Sequence, residues 1–237
     1  MKILALDSTA VVGTVALCED TRPIALYTLN TGNTHSQTLL PMIESALRCA
    51  EWTVDDVELF AVSQGPGSFT GVRIGVATVK GLAFGKNIPC AGVSTLEALA
   101  YNLRAFNGII CPVMNARRAQ VYNALFSCKD GVLTRLCPDR AISIAELDEQ
   151  LYTMDLPVYL VGDGYDISRE GFSKTAVYPV PEELRYQSAY SVAMCGLAAY
   201  QRGEACDDTT LAVTYLRPSQ AERERNERLA KENQSSI

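Results

Sequence analysis

Apolar and polar positions along the chain change rhythm several times, and each change marks an element. "KILALD" (Lys2 to Asp7) is a short apolar run that ends in an acid. "GTVALC" (Gly13 to Cys18) and "PIALYTL" (Pro23 to Leu29) follow after brief polar turns. Short runs joined by short connections predict an antiparallel meander. From His35 the spacing becomes helical, with Leu39, Leu40, Ile43, Ala46 and Leu47 on one face. Thr34 and Gln37 fit a capping box, and Pro41 predicts a kink or a later helix start.

Glu58 to Gln64 then reads as a strand, Thr70 to Gly85 as a helix, Ile88 to Ser94 as a strand and Thr95 to Arg104 as a helix. Residues 1–104 thus read β-β-β-α-β-α-β-α. A meander followed by parallel strands with crossover helices predicts a two-lobed α/β protein of the ribonuclease-H-like or actin-like ATPase fold, each lobe a mixed sheet with flanking helices. The second lobe, residues 105–220, predicts two strands around the turn Asn115 to Arg118, a helix in "SIAELDEQL" and a strand with a glycine turn in "PVYLVGDGYD". An apolar helix near residues 188–202 is expected to pack back on the first lobe, and "LAVTYLRPS" reads as a last strand. The charged stretch 221–237 lacks an apolar face and reads as a solvated tail.

Composition narrows the choices. The chain has 237 residues, 48% apolar and 20% charged, which is ordinary globular material. No run is long enough to cross a membrane and no secretory leader is visible, so a cytoplasmic protein is expected. Eight cysteines are scattered without a C-x-x-C pair, which argues for buried thiols rather than a zinc or dithiol site. A net charge of −6 disfavours a free-standing nucleic-acid binder. His35 is the single histidine, which excludes any mechanism that needs two imidazoles.

Three stretches carry candidate chemistry. Asp7, Ser8 and Thr9 stand where actin-like ATPases place a nucleotide phosphate against backbone amides, although a plain tight turn also favours these residues. The loop "SQGPGSFTG" holds Gly65, Gly67 and Gly71 ahead of a helix, an arrangement suited to an anion, with Arg73 close behind. It lacks the Lys-Ser/Thr of a P-loop, because Val72 and Arg73 stand there. Its helix is apolar on nearly every side, which predicts an interface through Val72, Gly75, Val76 and Val79, joined by Leu39, Leu40, Ile43 and Leu47. Gly162 and Gly164 form the third candidate, a turn that borders a nucleotide cleft in this fold class or a bland turn. A nuclease would need clustered carboxylates, and Asp7 is the one acid at a strand end.

The stretches "ALDST", "HSQTLLPMIESAL", "SQGPGSFTGVRIGVATVKGLAFG", "GVSTLEALA", "NARRAQVY" and "VTYLRPS" together resemble the TsaB family. The resemblance spans nearly the whole chain and is strongest over its first hundred residues. It implies an actin-like protein that serves biosynthesis of N6-threonylcarbamoyladenosine at position 37 of tRNA. It also implies a heterodimer with the catalytic paralogue TsaD, association with the ATPase TsaE, a homodimer when alone, and access to tRNA only through the complex. ATP or ADP would sit in the interlobe cleft or at the complex interface. Relatives that bind metal carry His-x-x-x-His where this chain has Thr95 and Leu99, with Glu97 between, so the resemblance implies no metal and no catalysis by this chain alone. A stand-alone ATPase or phosphotransferase of the same fold is the alternative. The family commonly shows Asp-Ala-Arg-Arg and then Glu-x-Tyr. This chain has Asn115-Ala116-Arg117-Arg118 and Gln120-x-Tyr122. If those acids balance the arginines in relatives, Arg117 and Arg118 are less neutralised here.

Overall fold

The computed structural model describes residues 1–217 and contains two five-stranded mixed sheets. The first is built from β1 (Lys2–Asp7), β2 (Gly13–Glu19), β3 (Arg22–Leu29), β4 (Leu59–Gly65) and β5 (Cys90–Ser94), in the order β3-β2-β1-β4-β5. β1 pairs antiparallel with β2 and parallel with β4. β1 is apolar on both faces, which explains its central place. Leu4 and Leu6 face one core cluster while Ile3 and Ala5 face another.

Over the Leu4/Leu6 face lie α1 (His35–Cys49) and α2 (Phe69–Ala83). Over the opposite face lie α3 (Thr95–Asn102) and a helix from late in the chain, which packs Val192, Ala193 and Leu197 there. That face is paved with small residues, Ala5, Ala16, Ala61 and Ala91. The late helix can therefore lie close: a Cβ on its Gly196 would stand 2.6 Å from the Cβ of Ala61. Sandwiched between sheet and α3, this helix is apolar all round for an intramolecular reason.

The second sheet repeats the plan. Its strands are β6 (Gly108–Asn115), β7 (Gln120–Lys129), β8 (Val132–Ser143), β9 (Val158–Val161) and β10 (Val177–Tyr178), in the order β10-β9-β6-β7-β8. β6 pairs antiparallel with β7 and parallel with β9, as β1 does with β2 and β4. Two short helices, α4 (Ile144–Tyr152) and α5 (Tyr165–Gly171), accompany it, and α6 (Ala189–Gln201) is the late helix already described. A repeated topology without sequence identity is the two-lobed actin-like ATPase fold.

Several sequence expectations need correction. Thr34 makes no side-chain cap, because its hydroxyl accepts from Ser36 instead (3.4 Å). Helix α1 starts at His35 and continues through Pro41 on its exposed side. The predicted last strand at "LAVTYLRPS" is an irregular strap over its described part, Leu211 to Arg217. Its Leu211 carbonyl accepts from Lys80 Nζ at 2.9 Å, and its backbone bonds are Leu211 N to Asp207 O (3.1 Å) and Thr214 N to Gln64 O (2.7 Å), which do not make a ladder. Residues 221–237, expected to form a charged tail, lie outside the described residues.

Candidate functional site: the glycine loop and the interlobe cleft

Asp7 ends β1 and is 1% exposed. Its carboxylate accepts from Thr9 N (2.8 Å), Thr9 Oγ1 (2.7 Å) and Ser63 Oγ. Burial pushes this carboxyl above its ordinary range, against the pull of those donors. Ser8 Oγ donates to Gly71 O at 2.8 Å, and Thr9 O accepts from Ser68 N at 2.7 Å. His35 comes within 2.6 Å of Ala10 O through Nε2, which therefore carries the proton. The hairpin triplet Asp7-Ser8-Thr9 is thus closed by the chain's own groups.

The same contacts account for the glycines. A Cβ at Gly71 would stand 2.0 Å from Ser8 O, and one at Gly65 (φ +122°) would stand 2.3 Å from Thr214 O. A Cβ at Gly67 would stand 2.5 Å from Thr9 O, and one at Gly75 2.6 Å from Ser8 Oγ. The loop therefore brings backbone against protein: the hairpin on one side and the strap on the other. Ser68 caps α2 by accepting from Gly71 N (3.4 Å), and Arg73 Nε donates to Tyr215 Oη (2.6 Å). The Ser68 and Gly71 amides and Arg73 Nε are thus turned to internal partners.

The residues expected at an interface are placed mostly inside. Leu39, Ile43, Leu47, Val72, Val76 and Val79 belong to the core beneath α1 and α2, and Gly75 faces Ser8 and Leu6. Leu40 alone of that set is outward, at 48% exposure. Periodicity finds an apolar face but not its owner, and here the owner is the chain's own sheet. The outer face carries Leu40 and Pro41 on α1, then Thr70, Ala77 and Gly81 on α2, with Phe84 just beyond at 77% exposure. Ala77 and Gly81 are again small residues four apart, and a Cβ at Gly81 would meet nothing within 4 Å.

Between the lobes lies a cleft of about 520 Å³. Ala10, Val11 and Val12 of the hairpin line one wall, and Gly162, Asp163, Asp166, Glu182, Arg185 and Gln187 line the other. Asp163 is crowded by protein yet open to the cleft, and loss of hydration pushes its carboxyl up to about 6, with the Asp7 charge a smaller cause. Gly162 N donates to Arg185 O (2.7 Å) and Gly164 N to Val113 O (3.0 Å), so neither amide faces the cleft as a donor. Arg185 directs Nε and Nη2 to Val180 O (2.8 and 2.6 Å) and lies 3.9 Å from the Tyr165 ring centre. Gln187 is 4% exposed and its amide has no protein partner. An acid-lined cleft whose arginine is held by a carbonyl does not fit the phosphates of ATP or ADP. Sequence reasoning missed Asp163, Arg185 and Gln187, because only the fold brings them opposite the hairpin.

Helix α3 buries Thr95 and Leu99, the positions that the family resemblance matches to metal-binding histidines. Thr95 is in the interior without a partner for its hydroxyl, and Leu99 packs in the second lobe's core. Glu97 pairs with Arg135 at 3.2 Å, so it has a structural partner. Among the described residues no three His, Cys, Asp or Glu side chains gather as a metal site. The turn from β6 to β7 holds three consecutive non-glycine residues in the left-handed region, Arg117 (φ +63°), Arg118 (+55°) and Ala119 (+54°). Each costs roughly 1 kcal/mol.

These features define an actin-like ATPase fold whose usual phosphate-facing groups are bonded within the chain. A family model described as TsaD, tRNA N6-adenosine threonylcarbamoyltransferase, matches residues 30–225. The tRNA threonylcarbamoyladenosine biosynthesis protein TsaB of Bacillus subtilis is 35% identical, over 94% of this chain and 96% of its own length. The Escherichia coli protein of the same name is 38% identical over 52% of this chain and 53% of its own. Among solved structures, YeaZ from Pseudomonas aeruginosa superposes with a TM-score of 0.76 at 25% identity, covering 91% of this chain and 99% of that one. The chain belongs to the TsaB family. Among the described residues no helix is long and apolar enough to cross a membrane.

Proposed function

We propose that this chain serves tRNA N6-threonylcarbamoyladenosine biosynthesis in the cytoplasm as a non-catalytic partner of TsaD, in a complex that TsaE joins. Its role is to dock on and support the catalytic paralogue, through which it reaches tRNA. The observation that carries this reading is the sealed hairpin: Asp7, Ser8 and Thr9 are bonded to Ser63, Gly71 and Ser68, which engages the hairpin's own acid rather than leaving it to a metal or nucleotide. Thr95 and Leu99 in the core of α3 support it further. The docking face is the outer side of α1 and α2, where Leu40, Ala77, Gly81 and Phe84 lie. Small residues four apart there allow a facing helix to approach closely. The same face serves a homodimer when TsaD is absent.

The test is a light-scattering titration against TsaD of the same organism, with Gly81→Arg as the variant. Gly75→Leu is unsuitable, since that position faces the core. A stoichiometric heterodimer lost in Gly81→Arg, with a melting temperature no lower than the wild type's, supports the docking role. Failure of the wild type to bind TsaD, together with ATP turnover by the chain alone, would overturn it in favour of a stand-alone ATPase.

A further inference from the structure

The strap, the glycine loop and the β6–β7 turn meet at one seam, and four arginines gather there on an otherwise acidic chain of net charge −6. Tyr215 of the strap stacks on Phe69 of α2, with ring centres 4.6 Å apart and planes 16° apart. Arg73 donates to the Tyr215 hydroxyl, and its guanidinium stands 5.5 Å from the Tyr215 ring centre. Two residues on, Arg217 Nη1 donates to Ala116 O at 3.0 Å, and its guanidinium lies 5.9 Å from the Tyr122 ring centre. Ala116 opens the left-handed turn that presents Arg117 and Arg118 to solvent. Asn115, where the family commonly has an acid, uses its Oδ1 to accept from Arg117 N (2.8 Å). Among the described residues none of the four arginines forms an ion pair; the carboxylates that do pair are held elsewhere.

We propose that this seam is a contact surface for single-stranded RNA, with Arg117 and Arg118 on phosphates and the Tyr215 ring beside a base. Arginine forks suit phosphate, and a half-exposed aromatic ring (40% exposed) suits an unstacked base. One face of the Tyr215 ring is taken by Phe69, and its exposed remainder beside two solvent-facing guanidinium groups favours RNA over an acidic protein. The inference deepens the tRNA reading above and rests on it. It assigns this subunit its own contact with the RNA that the complex holds.

The experiment is fluorescence anisotropy of the full chain, alone and as its TsaD heterodimer, with a labelled single-stranded RNA of about 15 nucleotides at low salt, long enough to span one such surface. Arg117→Gln/Arg118→Gln is compared with a charge-matched control, Arg22→Gln/Arg169→Gln, on other faces. A glutamate peptide of equal charge is the competitor, and melting temperatures confirm that each variant is folded. The seam variant is expected to bind about tenfold more weakly. Its slope of log affinity against log salt should be shallower by about 1.4, the loss of two phosphate contacts. The control should match the wild type. No binding by the wild type, equal losses in both variants, or displacement by the peptide as effective as by RNA would overturn the proposal. Heterodimer formation with TsaD, read on the same samples, separates the two ideas. A heterodimer that forms without a seam effect sinks only the RNA contact. An absent heterodimer sinks the pairing while the RNA measurement still stands.

Discussion

Gly71 crosses Ser8 so closely that a Cβ on the glycine would stand 2.0 Å from the Ser8 carbonyl oxygen, while Ser8 Oγ donates to the Gly71 carbonyl. Hairpin and helix are locked backbone to backbone at this point. Neither side can give, since the neighbour is main chain rather than a flexible side-chain end. Gly71→Ala should therefore destabilise the fold by about 2–4 kcal/mol. Gly81, on the open side of the same helix, is the contrast. Alanine there meets nothing and should stabilise by about 0.5–1 kcal/mol through helix propensity. Urea unfolding of the two variants checks both signs. Equal effects would mean that the loop glycines are not close-contact positions.

Asp163 gives the cleft a pH signature. Its carboxyl ordinarily titrates near 3.8 and is pushed up to about 6 in the folded chain. A group with a raised folded value contributes stability below its unfolded value and loses it as pH rises through the folded one. The chain should thus lose stability at this site between about pH 4 and pH 6.5. The side chain still reaches solvent, so the effect is small. Asp163→Asn should raise the melting temperature by roughly 1–2 °C at pH 7.5 and leave it unchanged at pH 4. A shift of the same size at both pH values would assign the effect to hydrogen bonding instead of charge.

Much of the first lobe was legible because its elements carry clean patterns. β1 and β4 are continuous runs buried on both faces, and the helices after them repeat as their burial requires, so pattern and packing agree. β8 was not legible: it is a mostly exposed edge strand with Pro138 inside it, so no apolar alternation marks it. The strap at Leu211 to Arg217 misled for the opposite reason. Its apolar residues have strand spacing, but Leu211 and Val213 pack into the first lobe's core and Leu216 against the second's, with one backbone bond to β4 instead of a ladder. The candidate site shows the same limit. Glycines, Asp7 and the apolar faces were all visible, yet sequence holds no record of which surface each one meets. Ser8, Thr9 and Thr214 as the partners of the loop emerge only from contacts far apart in the chain.

The strap is the joint between the lobes, and Tyr215 makes it measurable. Its ring stacks on Phe69, and its hydroxyl accepts from Arg73 Nε at 2.6 Å. Tyr215→Phe keeps the stack and loses the hydrogen bond, for a cost of about 0.5–1 kcal/mol at this half-exposed position. Tyr215→Ala removes both, and an aromatic pair adds about 0.5–1.5 kcal/mol beyond burial. It should cost about 2 kcal/mol in all. Because the strap otherwise holds to the first lobe through Thr214 and Lys80, the loss should open it locally before the sheets unfold. Limited proteolysis should then cut within residues 206–217 faster in Tyr215→Ala than in Tyr215→Phe, with the sheets protected in both. Cleavage at the wild-type rate in Tyr215→Ala would mean that the backbone bond at Thr214 holds the strap without the aromatic stack.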